Sequence, residues 1–121
     1  MLNSCDFVGH LVADPRRYEF EDGNVKCHWR LAVGRNRNNK DGRDVDFFDF
    51  TSRAETAEYI CKYFHKGDCM MVTNSRAKSV EYTTKDGQQR KKVEYDVGFK
   101  SDIELLYRKR SSDTENVALE Q

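Results

Sequence analysis

A chain of 121 residues, 35% charged and 37% hydrophobic, is sized for one domain around one modest core and leaves no room for a separate catalytic domain. No apolar run approaches the roughly 18 residues that cross a bilayer, and the opening MLNSCDFVGH lacks the basic start and apolar stretch of a secretion signal, so a soluble cytoplasmic protein is expected. The formal net charge is zero, yet all Lys and Arg precede Ser111, and residues 1–110 hold 21 basic against 18 acidic residues, a net +3. A mildly basic body can still present an electropositive face.

The segment from Asn3 to Val12 is rich in strand formers, and Asp14-Pro15 closes it with a turn signal. A second strand follows Asp22-Gly23, where Val25, Cys27, Trp29, Leu31 and Val33 alternate with Lys26, His28, Arg30 and Ala32. This period of two is the clearest strand signal in the chain, and it assigns Trp29 to the core. Residues 36–42, NRNNKDG, have no apolar member and read as a polar hairpin finger.

The third strand, VDFFDFTS, places Val45, Phe47, Asp49 and Thr51 on one face and Asp46, Phe48 and Phe50 on the other. Both faces carry aromatics, so one of them needs a use beyond the core. Ser52 and Glu55 are spaced as a capping box. Ala57, Ile60, Cys61 and Phe64 then recur at helical spacing, with Gly67 as the stop. A fourth strand covers DCMMVTNSRAK. A second finger turns at Lys85-Asp86-Gly87, and a fifth strand runs from about Lys92 to Leu106. Residues 1–107 form the expected domain, and 108–121 lose all periodicity and read as a disordered tail.

Three strands, a helix and two strands suit an all-β fold. It would be a five-stranded Greek-key barrel of the oligonucleotide-binding (OB) type, with one helix between strands three and four and two long hairpin fingers. Pattern alone also admits a small α+β sandwich. Single strands of nucleic acid are held by an electropositive groove and by exposed rings on which bases stack. Phe47, Phe48, Tyr82 and Tyr95 are candidate rings. Arg35, Arg37, Lys40, Arg43, Arg53, Arg76, Lys78 and Arg90 are candidate cations on the elements that would border such a groove. On pattern alone, solvated hairpins and a core phenylalanine explain the same residues equally well.

Catalysis and metal binding fare worse. Asp44, Asp46 and Asp49 crowd one strand, but Asp49 is out of phase with the other two and no base stands near them. His10, His28 and His65 fall in separate elements. Cys5, Cys27, Cys61 and Cys69 form no CxxC pair and lie at apolar positions, which reads as free buried thiols. The trio Cys61, His65 and Cys69 lacks the paired spacing of zinc ligands. No enzyme activity, metal or cofactor is expected.

Met1-Leu2-Asn3, Val8-Gly9, Leu11, Asp14-Pro15, Leu31-Ala32-Val33 with Arg35, VDFFDF, Ala57-Glu58, Tyr63, Lys66-Gly67, Asp86-Gly87-Gln88 and Glu94 together resemble the bacterial single-stranded DNA-binding proteins over residues 1 to about 106. The resemblance implies an OB fold, a homotetramer or a dimer, and sequence-tolerant coating of single-stranded DNA in replication, recombination or repair, at the nucleoid. Phe47 and Tyr82 match stacking positions of the family. Arg37 and Arg53 stand where the family often has aromatics, which shifts weight toward guanidinium packing or phosphate contacts. Asp49 replaces a basic or amide residue on the DNA side, and Asp6 replaces an apolar residue of the first strand that contributes to subunit association. VALEQ at the end is not the acidic tip on which the family docks repair proteins, so no such docking is expected. An RNA-binding variant or a primosome accessory module that binds protein is the alternative.

Overall fold

The computed structural model describes residues 1–35, 44–98 and 101–108. Its elements are β1 (Cys5–Leu11), β2 (Arg16–Glu19), β3 (Val25–Gly34), β4 (Val45–Arg53), α1 (Ala54–Tyr63), β5 (Cys69–Thr83), β6 (Gln89–Val97) and β7 (Asp102–Tyr107). β1 pairs antiparallel with both β3 and β5, β3 with β4, and β5 with β6, while β4 and β6 run parallel. The pairings therefore close a circuit, β1-β3-β4-β6-β5 and back to β1. Closure leaves these five strands no continuous open edge and accounts for the expected five-stranded barrel. β2 is added outside β3, and β7 outside β5.

Alternation along β3 sends Cys27, Trp29 and Leu31 inward, where they meet Leu11, Phe50, Met70, Val72 and Val97. Trp29 stacks on Phe50 with centroids 5.5 Å apart and planes 12° from parallel. Its buried indole N–H meets no acceptor among the described residues. Between β4 and β5, α1 turns Ala57 and Ile60 into this core, with Cys61 and Phe64 continuing the stripe. Gly9 is buried where β1 crosses β3, and a Cβ there would come 2.7 Å from the Ala32 carbonyl oxygen. No helix of the described residues is long and apolar enough to cross a membrane.

The structure departs from the sequence expectation in four places. β2 has no counterpart in it, because Arg16–Glu19 is exposed at every position and owes its extended form to pairing with β3 rather than to a buried face. The capping box is absent. Ser52 is buried as a strand residue opposite Cys27, the N-cap is Arg53, no side chain caps the helix, and the chain turns through Ala54 at φ 54°. The long fifth strand is two strands, β6 and β7, separated by a turn in which the Ser101 N–H donates to the Gly98 carbonyl and the Ser101 hydroxyl accepts from the Gly98 N–H. That break lets the chain leave the β4–β5 side and return on the far edge of β5. Lastly, Arg108 does not behave as tail. Its guanidinium donates to the Tyr63 carbonyl at 2.9 Å and lies 3.8 Å from Asp68, while residues 109–121 lie outside the described residues.

Candidate nucleic-acid interface

Residues directly opposite one another in paired strands share a face, so the register fixes which side chains gather outside the barrel. Along β3 and β4, Lys26 faces Arg53, His28 faces Thr51, Arg30 faces Asp49 and Ala32 faces Phe47. Thr51 continues to Asp96 on β6, and β6 sets Asp96 against Arg76, Glu94 against Lys78, Lys92 against Val80 and Arg90 against Tyr82. Strands remote in sequence thus bring Phe47, Arg53, Arg76, Lys78, Tyr82 and Arg90 onto one outer face. β2 extends it, with Arg16 beside His28 and Tyr18 beside Lys26.

Two of the four candidate rings are exposed on that face, Phe47 at 57% and Tyr82 at 41%. The other two candidate rings are turned the opposite way. Phe48 packs on Phe7 with centroids 4.8 Å apart, and Tyr95 sits 4.8 Å from Phe7 and 5.6 Å from Phe50. Both are partly buried against the core. Their role in this geometry is to support β4 and β6 from beneath, since a side-chain period of two puts neighbours of a strand on opposite faces.

The cations also divide. Arg35, at the root of the first finger, is held by Asp44 at 2.6 Å and Asp46 at 2.7 Å. The hydrogen bond from Arg35 holds the Asp46 carboxyl below the usual carboxylate range. Arg35 braces the finger root, and its candidate partners Arg37, Lys40 and Arg43 lie outside the described residues. Arg53 and Arg90 are exposed. Arg76 and Lys78 lie 3.7 and 4.0 Å from Asp96. Burial, with Lys26 and Arg53 close by, pushes the Lys78 ammonium down. Asp96 offsets part of this, and an anion beside Lys26, Arg53 and Lys78 would offset more.

Beside it, Arg16, His28, Arg30, Asp49, Lys92 and Glu94 line a cavity of about 300 Å³. Glu94 is buried, 3.4 Å from Lys92 and 3.9 Å from the His28 ring. Burial, then Lys26, lowers the His28 pKa against the pull of Glu94. Asp49, the acid that departs from the family pattern, accepts two hydrogen bonds from Arg30, at 2.7 and 3.3 Å. A fork-to-carboxylate pair of this kind neutralises both groups. Asp44, Asp46 and Asp49, the acids that crowd β4, are thus each bound to an arginine, and among the described residues no group of His, Cys, Asp or Glu is arranged to hold a metal ion.

Sequence reading missed Lys26, His28, Arg30 and Tyr18 as members of this face. The polar half of the β3 alternation was the signal that could have found the first three, because whatever flanks a stacking ring on the adjacent strand shares its surface. Tyr18 depends on recognising β2, whose exposed residues carry no periodicity.

A closed five-strand circuit, a helix between β4 and β5 and an outer face of cations and exposed rings define an oligonucleotide-binding barrel. The chain belongs to the single-strand binding protein family, whose profile matches residues 2–105. It is 38% identical over 74 residues to single-stranded DNA-binding protein 1 of Synechocystis, covering 61% of this chain and 60% of that one. With single-stranded DNA-binding protein 1 of Clostridium acetobutylicum it shares 29% over 91 residues, 74% of this chain and 82% of the relative. The match thus spans about 60% of the length of the cyanobacterial relatives. Among solved structures, a Plasmodium falciparum SSB complex with ssDNA superposes with a TM-score of 0.75 over 88% of this chain and 96% of that one, at 18% identity. That likeness is one of fold.

Proposed function

We propose that the chain binds and coats single-stranded DNA with little sequence preference, serving replication, recombination or repair without a catalytic step of its own. The observation that carries this reading is the gathering of Phe47 and Tyr82 on the outer face of β3-β4-β6-β5 with Arg53, Arg76, Lys78 and Arg90. Rings at this exposure offer π-faces that every base can use, and the cations between them offer contacts to phosphate rather than to base edges. The ion-paired Asp49 fits the same role, because Arg30 cancels the charge that would repel the backbone.

The proposal extends to a homo-oligomer, a tetramer or a dimer. Asp6 is exposed on β1 and is tied within its own chain, its carboxylate accepting the Asn74 N–H at 2.8 Å, which leaves the exposed Val8 as an apolar contact on the outer side of β1. Sedimentation of the purified chain measures that state.

The functional test is a titration of the chain into a labelled oligo-dT strand, its duplex and the matching RNA. Tight binding to oligo-dT, falling with salt and with the duplex ignored, is expected. Equal or tighter binding to RNA would move the reading to an RNA-binding variant. A folded sample that binds neither would replace it with a protein-interaction module.

A further inference from the structure

Cys27 lies on the buried face of β3 and Cys61 on the barrel-facing stripe of α1, 34 positions apart. The fold nevertheless sets their sulfurs 2.9 Å apart, with the Cys61 thiol donating to Cys27. A disulfide is about 2.05 Å long, so roughly 1 Å of approach separates this contact from a bond. The two thiols differ in access, Cys27 being fully buried and Cys61 partly open to solvent. An exposed thiol that reacts first, touching a sheltered one that resolves the product, is the arrangement of a redox pair.

We propose that Cys27 and Cys61 are a modification site, joined by hydrogen peroxide into an intramolecular disulfide that fastens α1 to the barrel wall. The Cys61 sulfur takes one oxygen from the peroxide, giving a sulfenic acid and one water. The Cys27 sulfur then attacks the Cys61 sulfur. The new S–S bond forms as the S–O bond breaks, and the departing hydroxide takes the Cys27 proton and leaves as a second water. Two thiols lose two electrons and two protons, and one peroxide is reduced to two waters. Burial and the contact with Cys61 push the Cys27 thiol up, which keeps it protonated and spares it direct attack until the sulfenic acid forms beside it.

The closed loop runs from β3 through the first finger and β4 to α1, and so includes the strand that carries Phe47. Constraining a loop of this length in the unfolded chain raises the Tm by on the order of 10 °C. A thiol reductant returns the pair to the free state, so the staple would act under oxidative stress and be released afterwards.

The test uses the full-length reduced chain, treated with hydrogen peroxide, freed of oxidant, denatured and alkylated with iodoacetamide. Two of its four cysteines should resist alkylation, and trypsin should release residues 27–30 linked to residues 54–62. The Tm should rise and return with dithiothreitol. Cys61→Ser should abolish the linked peptide and the shift. The Cys5→Ser and Cys69→Ser variants should keep both, which guards against a Cys61 variant that fails to fold. The proposal is overturned if all four thiols remain alkylatable, if Cys61 advances to sulfinic acid with Cys27 still free, or if the bond joins two chains through Cys5.

Discussion

Replacing Phe47 by alanine removes a ring that is 57% exposed and lies opposite Ala32 across the strand pair. Replacing Phe48, its neighbour, removes a ring packed on Phe7 at 4.8 Å and Tyr95 at 5.7 Å. A stacking ring contributes about 1–3 kcal/mol to single-strand binding, so Phe47→Ala should weaken oligo-dT affinity roughly 5- to 150-fold. An exposed substitution moves folding stability by no more than about 0.5 kcal/mol. Phe48→Ala should show the opposite profile. Truncating a buried Phe costs about 3–5 kcal/mol, and the partial burial of Phe48 places it near the lower end. Anisotropy of a labelled oligo-dT at two salt concentrations, with urea unfolding of each variant, separates the two. Wild-type affinity for Phe47→Ala at both salts, or an unfolding midpoint as low as that of Phe48→Ala, would refute the assignment of the two faces.

Three further outcomes follow from the geometry. Asp49→Asn frees Arg30 from its bidentate pair, so binding should tighten. The salt dependence, read as log K against log[salt], should steepen by about 0.7 for each phosphate newly contacted; an unchanged slope would mean that Arg30 does not reach the strand. His28 sits among Lys26, Lys78, Lys92 and Glu94, with its pKa held below the ordinary value chiefly by burial and then Lys26. Phosphates placed beside it would raise that pKa, so binding takes up a proton and affinity should increase as pH falls below the ordinary histidine value of about 6.5. His28→Gln should flatten that dependence, and a dependence that survives the substitution would assign the proton to another group. Gly9→Ala forces a Cβ to 2.7 Å from the Ala32 carbonyl oxygen and should cost about 1–3 kcal/mol in urea unfolding, as overpacking does, whereas a stability equal to wild type would mean that β1 and β3 part without penalty.

What could be read from the sequence was what one strand or helix encodes by itself. The β3 alternation placed Cys27, Trp29 and Leu31 inside, and the i, i+3, i+4, i+7 stripe of α1 placed Ala57, Ile60 and Phe64 there too. The aromatic pair of β4 was recognisable as two-faced, but not which ring was which, because that depends on how β4 is closed against β6 and β1. Register was equally out of reach. Tyr82 and Arg90 sit on the two arms of a hairpin, Lys26 near the start of β3 and Arg53 at the end of β4, and only the pairing register makes each a neighbour. β2 escaped notice because an edge strand held by backbone pairing needs no apolar residue. The capping box misled because the Ser52 side chain was already committed to the barrel interior.

A bound single strand is expected to lie across the outer face of β3-β4-β6-β5. Amide chemical-shift mapping of the ¹⁵N-labelled chain with short oligo-dT tests it most directly. The largest shifts are expected at Lys26, His28, Phe47, Arg53, Lys78, Tyr82 and Arg90, with α1 and β7 little changed. Shifts concentrated on α1 or β7, with the Phe47 and Tyr82 amides unmoved, would place the strand elsewhere.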